Sequence, residues 1–231
     1  MADDQFSLFS ADPSHPEARA ATYDAIPTSG QVAIAPGTYG DLESLAHHCH
    51  ACQRCGLAVS RTHVVVSRGN RTAPILIIGE GPGQQEDEQG LPFVGKSGQL
   101  LDKILASVRL DPDQDVYICN IVKCRPPGNR VPTPKEVAAC KGYLLEQIRL
   151  VNPKIILLTG ATAVKGILGL KEGISQLRGQ WFEWQGHLCM PIFHPAYLLR
   201  NQSREKGSPK WLMWQDIQAI KAKLEELGEQ P

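Results

Sequence analysis

Two short aliphatic runs, Ile75-Leu76-Ile77-Ile78 and Ile155-Ile156-Leu157-Leu158, constrain the fold of this chain more than any other feature. Both fall far short of the roughly 20 apolar residues a membrane helix needs, so they read as buried strands. Around them, short apolar stretches alternate with amphipathic ones. Strands are expected at Val64–Val66, Pro74–Gly79, Val116–Asn120, Lys154–Thr159 and Leu188–Phe193. Helices are expected between them. In Gly98–Leu110 the residues Leu100, Leu101, Ile104 and Val108 form one apolar face, and Val137, Cys140, Leu144 and Ile148 do the same in Pro134–Val151. Ala161–Gly169 and Lys210–Leu227 complete the set. Such alternation argues for a three-layer α/β/α fold with a mostly parallel central sheet, whose ligands gather beyond the carboxyl ends of the strands. The loops after residues 79, 120 and 193 are therefore where a site is expected.

A chain of 231 residues with 42% hydrophobic content suits one well-buried domain. Residues 1–40 are rich in Ala, Pro, Ser, Gly and Asp without a sustained apolar period, and are expected to be a disordered acidic tail. The folded domain is expected to span 41–231, opening with a helix capped by Asp41. The net charge is zero, yet seven acidic side chains in residues 1–45 face Arg19 alone, so residues 46–231 carry a positive excess of about six. A basic body suits a polyanionic partner. The N-terminus shows neither the basic nor the apolar region of a secretory signal, so a cytoplasmic protein with no membrane partner is expected.

In that compartment seven cysteines are better explained by metal or cluster ligation than by disulfides. Two residues separate Cys52 from Cys55, a spacing that lets one turn aim both sulfurs at a shared centre. Cys124 and Cys140 lie far downstream, the first after a strand and the second inside the next helix. Four thiolates suit either Zn²⁺ or an iron–sulfur cluster, and spacing does not choose. Cys119 and Cys189 read as core residues, and Cys49 offers an overlapping pair with Cys52.

Three loops carry the polar candidates. Gly79-Glu80-Gly81-Pro82-Gly83 is a rigid turn whose backbone N–H groups can approach a ligand, without the third glycine of a dinucleotide fingerprint. Gly90 to Ser97 satisfies the P-loop pattern letter by letter, but the polar residues Gln84–Gln89 before it cannot be the buried strand that a phosphate-binding loop leaves. What remains is Phe93, a buried packing residue or a platform for a planar ring. Asn120 ends one strand and His194 follows another. An Asn side chain can match a pyrimidine edge, and a His can donate to an oxygen on which negative charge grows.

Taken together, the paired cysteines, the Gly-Glu-Gly-Pro-Gly turn, Pro92-Phe93-Val94-Gly95-Lys96-Ser97-Gly98, Asn120-Ile121-Val122-Lys123-Cys124-Arg125-Pro126-Pro127 and His194-Pro195-Ala196-Tyr197-Leu198-Leu199-Arg200 resemble the family 4, iron–sulfur uracil-DNA glycosylases. The resemblance covers about residues 42–225. It implies a [4Fe-4S] cluster of structural role on Cys52, Cys55, Cys124 and Cys140, and uracil-containing DNA as substrate. It also implies that Glu80, Gly81, Pro82 and Gly83 line the pocket with Glu86, that Phe93 stacks on a flipped uracil, that Asn120 reads its edge and that His194 bonds its carbonyl oxygen. Leu198, Leu199 and Arg200 would press into the duplex as a wedge. His194, Asn120 and Glu80 are the catalytic candidates. Gly81 stands where other glycosylase families carry a water-positioning Asp, so no general base is assigned.

Two rivals compete with this reading. A relative that traps uracil on a histidine before the fourth cysteine is disfavoured because Arg125–Ala139 contains no His. A non-catalytic four-cysteine DNA-binding module leaves Phe93, Asn120 and His194 unexplained. A monomer is expected. In the tail, Gln5, Leu8 and Phe9 resemble the short peptide by which bacterial repair proteins dock on the replication sliding clamp.

Overall fold

The two aliphatic runs lie side by side at the centre of a six-stranded sheet. In this computed structural model, which describes residues 29, 30 and 32–228, β1 (Arg68–Gly69), β2 (Ile75–Gly79), β3 (Val116–Asn120), β4 (Ile155–Thr159), β5 (Phe182–Trp184) and β6 (His187–Ile192) are arranged in the order β1-β3-β2-β4-β6-β5. The four inner strands are parallel and the two short edges antiparallel. All five residues of β2, β3 and β4 are buried. Parallel sheets require this, because crossover helices cover both faces.

The period of two divides the strands between two cores. Leu76, Ile78, Tyr117, Cys119, Ile156 and Leu158 face one side, where α1 (Leu42–His50), α5 (Pro134–Val151) and α6 (Ala161–Leu168) supply Leu45, Tyr143, Leu144 and Val164. Ile75, Ile77, Val116, Ile118, Ile155 and Leu157 face the other, against Leu101 and Leu105 of α4 (Lys96–Ser107) and Met213, Ile217 and Ile220 of α9 (Pro209–Gly228). Three shorter helices, α2 (Leu57–Ser60), α3 (Gln84–Gln89) and α7 (Ile174–Leu177), fill connections, and α8 (Pro195–Arg200) follows β6 directly. No helix among the described residues is long and apolar enough to cross a membrane.

Local chemistry sets the helix ends. Asp41 caps α1 by accepting the Ser44 N–H at 2.7 Å. Thr133 and Glu136 form a capping box on α5, with Pro134 in its first turn.

Three sequence expectations need revision. Val64–Val66 is buried but is not a strand: Val65 N–H donates to Lys123 O at 2.8 Å, while β1 takes the free edge of β3. An apolar run signals burial, and a covered connection buries as well as a strand does. Strand β5 was not expected; it pairs with β6 through a turn at Gln185 and Gly186, both at positive φ. The folded body also starts before Asp41. Ile34 and Tyr39 are buried, and the Glu146 carboxylate accepts the N–H groups of Gly37 and Tyr39 at 2.9 and 3.0 Å. The clamp-like residues Gln5, Leu8 and Phe9 lie outside the described residues.

Candidate active site

The parallel strands deliver three polar side chains and a glycine to one end of the sheet. Gly79 closes β2 opposite Asn120 at the end of β3, Thr159 ends β4, and His194 comes two residues after β6. Beyond them opens a cleft lined by Glu80–Glu86, Phe93, Asn120, Thr159, Thr162 and His194, with Lys96, Arg130, Tyr197 and Arg200 nearer its mouth.

Gly79 makes the close approach possible. A Cβ there would stand 2.4 Å from Asn120 Oδ1 and 2.6 Å from Phe93 Cζ. The missing side chain lets the Asn amide and the Phe ring meet over the strand end. Among the described residues no protein group bonds the Asn120 amide, so its edge is left for a ligand.

Phe93 adopts φ 54°, a left-handed backbone that costs a non-glycine residue about 1–2 kcal/mol. Two side chains hold it there. Glu86 accepts Val94 and Gly95 N–H at 3.0 and 2.8 Å and Gly83 N–H at 3.1 Å, tying the glycine turn to the Phe93 loop. Arg68 donates to Pro92 O at 2.9 Å and Phe93 O at 3.3 Å, and pairs with Asp102. The Phe93 and His194 rings then lie 5.8 Å apart at 31°. The loop leaves helix α3 at the left-handed Gly90 and no strand precedes it, so the P-loop pattern is not accompanied by P-loop architecture.

His194 is the N-cap of α8, and its Nδ1 accepts the Ala196 N–H at 3.1 Å. With Nδ1 an acceptor, the proton of the neutral ring sits on Nε2, which is free to donate to a ligand. Burial, with a smaller contribution from Arg200, lowers its pKa to about 4, so near neutral pH the ring is an uncharged donor.

The other site residues divide into groups that face the cleft and groups that do not. Glu80 lines the cleft and accepts a short bond from Thr162 Oγ1. Gly81 has no room for a side chain, because a Cβ would come within 2.8 Å of Val122 Cγ2. Pro82 and Gly83 line the wall. Leu198 is a correction to the wedge: it is only 1% exposed and packs in the α4–α9 core, since it falls on the inner face of α8. Leu199 is half-buried and Arg200 exposed, and the exposed aromatic of this segment is Tyr197. Sequence reasoning missed Arg68 and Thr162. Neither carries a motif; only the spatial meeting of separate loops identifies them.

Beside the loop that follows β3, Cys52, Cys55, Cys124 and Cys140 line a second, smaller cavity together with Cys49, Arg61 and Lys123. Burial pushes Cys124 to about 11 and Cys140 to about 12. Arg61 donates to Cys124 Sγ at 3.6 Å, and the Arg54 N–H to Cys52 Sγ at 3.5 Å. Cys119 and Cys189 are buried in the sheet and do not line this cavity.

The sheet order, the cleft at its strand ends and the sulfur-lined flank define a glycosylase of the uracil-DNA type, and the uracil DNA glycosylase superfamily model matches residues 66–218. The chain belongs to that superfamily and, within it, to the type-4 family. It is 43% identical over 189 residues to a type-4 uracil-DNA glycosylase of Thermotoga maritima, covering 81% of this chain and 96% of that one. It is 40% identical to the type-4 enzyme of Archaeoglobus fulgidus over 71% of this chain and 87% of that one. With the type-4 enzyme of Saccharolobus solfataricus the identity is 35%, over 80% and 87%.

Proposed function

We propose that this protein excises uracil from DNA by hydrolysing the bond between base and sugar, leaving an abasic site for repair. One observation carries the reading: Phe93, Asn120 and His194 converge from three separate loops on one cleft, with the His194 donor already set by its bond to Ala196. A base must leave the duplex to reach such a cleft, at a cost of a few kcal/mol. Phe93 offers its face for stacking and Asn120 its amide edge. Cytosine presents a donor where the Asn120 amide meets an acceptor on uracil.

As the bond breaks, negative charge grows on the uracil ring. The neutral His194 Nε2–H stabilises it, by roughly 3–4 kcal/mol if it acts like an oxyanion-hole donor. Glu86 is committed to three backbone N–H groups. Glu80 is the acidic side chain of the cleft with an oxygen to spare, and is therefore the group placed to hold the attacking water. Lys96 and Arg200 at the mouth suit backbone phosphates, and Tyr197, Leu199 and Arg200 form the revised wedge.

The cofactor reading is a [4Fe-4S] cluster on Cys52, Cys55, Cys124 and Cys140. The four thiols ring a cavity that buried Lys123 and the Arg61 guanidinium also face, and those two cations suit an anionic cluster. The cluster would join the α1–α2 segment to the loop after β3.

Incubation with an oligonucleotide carrying one uracil, followed by alkali, should cut the strand at that position. An intact strand would remove the functional reading. A brown protein absorbing near about 400 nm supports the cluster, and a colourless zinc protein would remove it.

A further inference from the structure

Lys123 is the one buried lysine among the described residues, at 1% exposure. Its Nζ donates to the backbone oxygen of Asn120 at 2.6 Å, reaching back three residues across the turn Ile121-Val122. The same side chain lines the sulfur-ringed cavity. Its positive charge opposes the burial that pushes up the thiols of Cys49 and Cys140 in that cavity and of Cys119 in the adjoining strand.

The other buried charges of the fold have partners of their own. Glu136 pairs with Arg130, Glu146 with Arg149 and Asp216 with Arg178. Asp87 accepts the N–H groups of Thr62 and His63, and Arg54 donates to backbone oxygens. No carboxylate pairs with Lys123 among the described residues. A buried cation without a counter-charge is costly, and the cavity that this one lines is ringed by cysteine sulfurs, which bear negative charge only when they ligate.

We infer that Lys123 is a positioning residue for base recognition: it ties the Asn120 carbonyl to the cysteine-lined cavity and uses a bound cluster as its counter-charge. The inference rests on the cofactor reading above. It gives that distant cavity a direct part in aiming the Asn120 amide. The turn around it is rigid from both sides, since Ile121 N–H donates to Gly79 O at 2.9 Å and Val65 N–H to Lys123 O at 2.8 Å. Loss of the lysine contact therefore acts on Asn120 before it acts on the sheet.

The test compares the full-length wild type with K123M and K123R in iron content, cluster reduction potential, kcat and KM for uracil excision. K123M should keep iron and lower kcat on the order of tenfold, the size expected for a hydrogen bond to a charged group, with KM little changed. Its cluster potential should become more negative, because removing a nearby positive charge disfavours the added electron. K123R keeps the charge but not the single-nitrogen reach, so its potential should stay near wild type while kcat falls between the two. Wild-type kcat in K123M, or an unchanged potential, would overturn the inference. If K123M cannot be obtained with iron, K123R decides: lowered kcat with retained iron supports the tie to Asn120, and wild-type kcat overturns it. A wild-type chain without iron would instead remove the cofactor reading, and would show it before any variant is compared.

Discussion

The cleft at the strand ends and the cysteine-lined cavity beside β3 lie on the same strand and are built in opposite ways. The cleft is held by the protein alone: Glu86 bonds three backbone N–H groups, Arg68 secures the Phe93 loop, and Ala196 sets the His194 ring. The cavity gathers thiols from two distant stretches of chain, and burial alone would keep Cys124 and Cys140 protonated. A site completed by backbone bonds can lose one side chain and keep its shape. A site completed by a bound group loses its shape when a ligand goes, because that group's binding energy is part of the folding energy.

The largest effect should come from breaking the second site. Cys124→Ser or Cys140→Ser should bleach the absorbance near about 400 nm and lower the melting temperature, while Cys189→Ser should do neither to the same extent. Iron analysis beside thermal unfolding checks both. Equal bleaching by Cys189→Ser would show that cavity lining does not identify the ligands.

Breaking the first site should leave the colour unchanged and lower the melting temperature less, by no more than the loss of a helix cap in the case of His194. His194→Ala should lower uracil excision by about 100- to 1000-fold, as for removal of an oxyanion donor, and Asn120→Ala should cause a similarly large loss. Affinity for uracil-free DNA should hardly move, because phosphate contacts supply most of it. Single-turnover excision and a binding titration separate the two quantities. Wild-type turnover in either variant would dissolve the distinction between the two sites.

The parts of this division that were legible in the sequence are those in which one residue type has one job. Ile75–Ile78 and Ile155–Leu158 could only be buried, and Asp41 stands where a helix needs its cap. Asn120 and His194 were legible because strand ends of a parallel sheet face one way, and Phe93 because it is the aromatic of the glycine-rich loop after Gly90. Supporting residues were not legible. Arg68 acts on a loop 24 residues away and Thr162 on a glutamate 82 residues away, and no local pattern encodes either distance. Leu198 was misplaced because wedge segments are read as a block, whereas a helix of six residues still turns one side inward.

A smaller effect should distinguish crowding from chemistry within the cleft. In Gly79→Ala the new methyl would contact both Asn120 Oδ1 and Phe93 Cζ. Stability should fall by about 1–3 kcal/mol, the usual cost of overpacking. Excision should fall by more than that stability change explains, because both recognition groups are displaced while the fold and the iron remain. Denaturant titration and excision rates on one preparation give the comparison, and a variant with lower stability and normal turnover would show that Asn120 and Phe93 need not meet at Gly79.

The smallest effect is an expected flatness. His194 is held down to about 4 by burial, then by Arg200, with Glu86 acting in the opposite direction. A histidine lowered in this way is neutral in the folded protein while its unfolded counterpart, near 6.5, still takes up a proton. As pH falls from about 6.5 toward 4, the unfolded chain therefore binds more protons at this position and stability declines; below about 4 both states are protonated and the decline from this residue ends. Activity follows the folded value instead. Protonation at Nδ1 breaks the bond from Ala196 N–H and turns a neutral donor into a cation, so kcat/KM should stay level through pH 6.5 and, for this group, fall only on approach to 4. Arg200→Ala removes the second-largest cause of the shift and should move that acid limb slightly upward. A pH–rate profile of the two proteins checks the point, and a wild-type inflection near 6.5 that vanishes in His194→Gln would mean that the ring is solvated in the working enzyme and that its tautomer is not set by the fold.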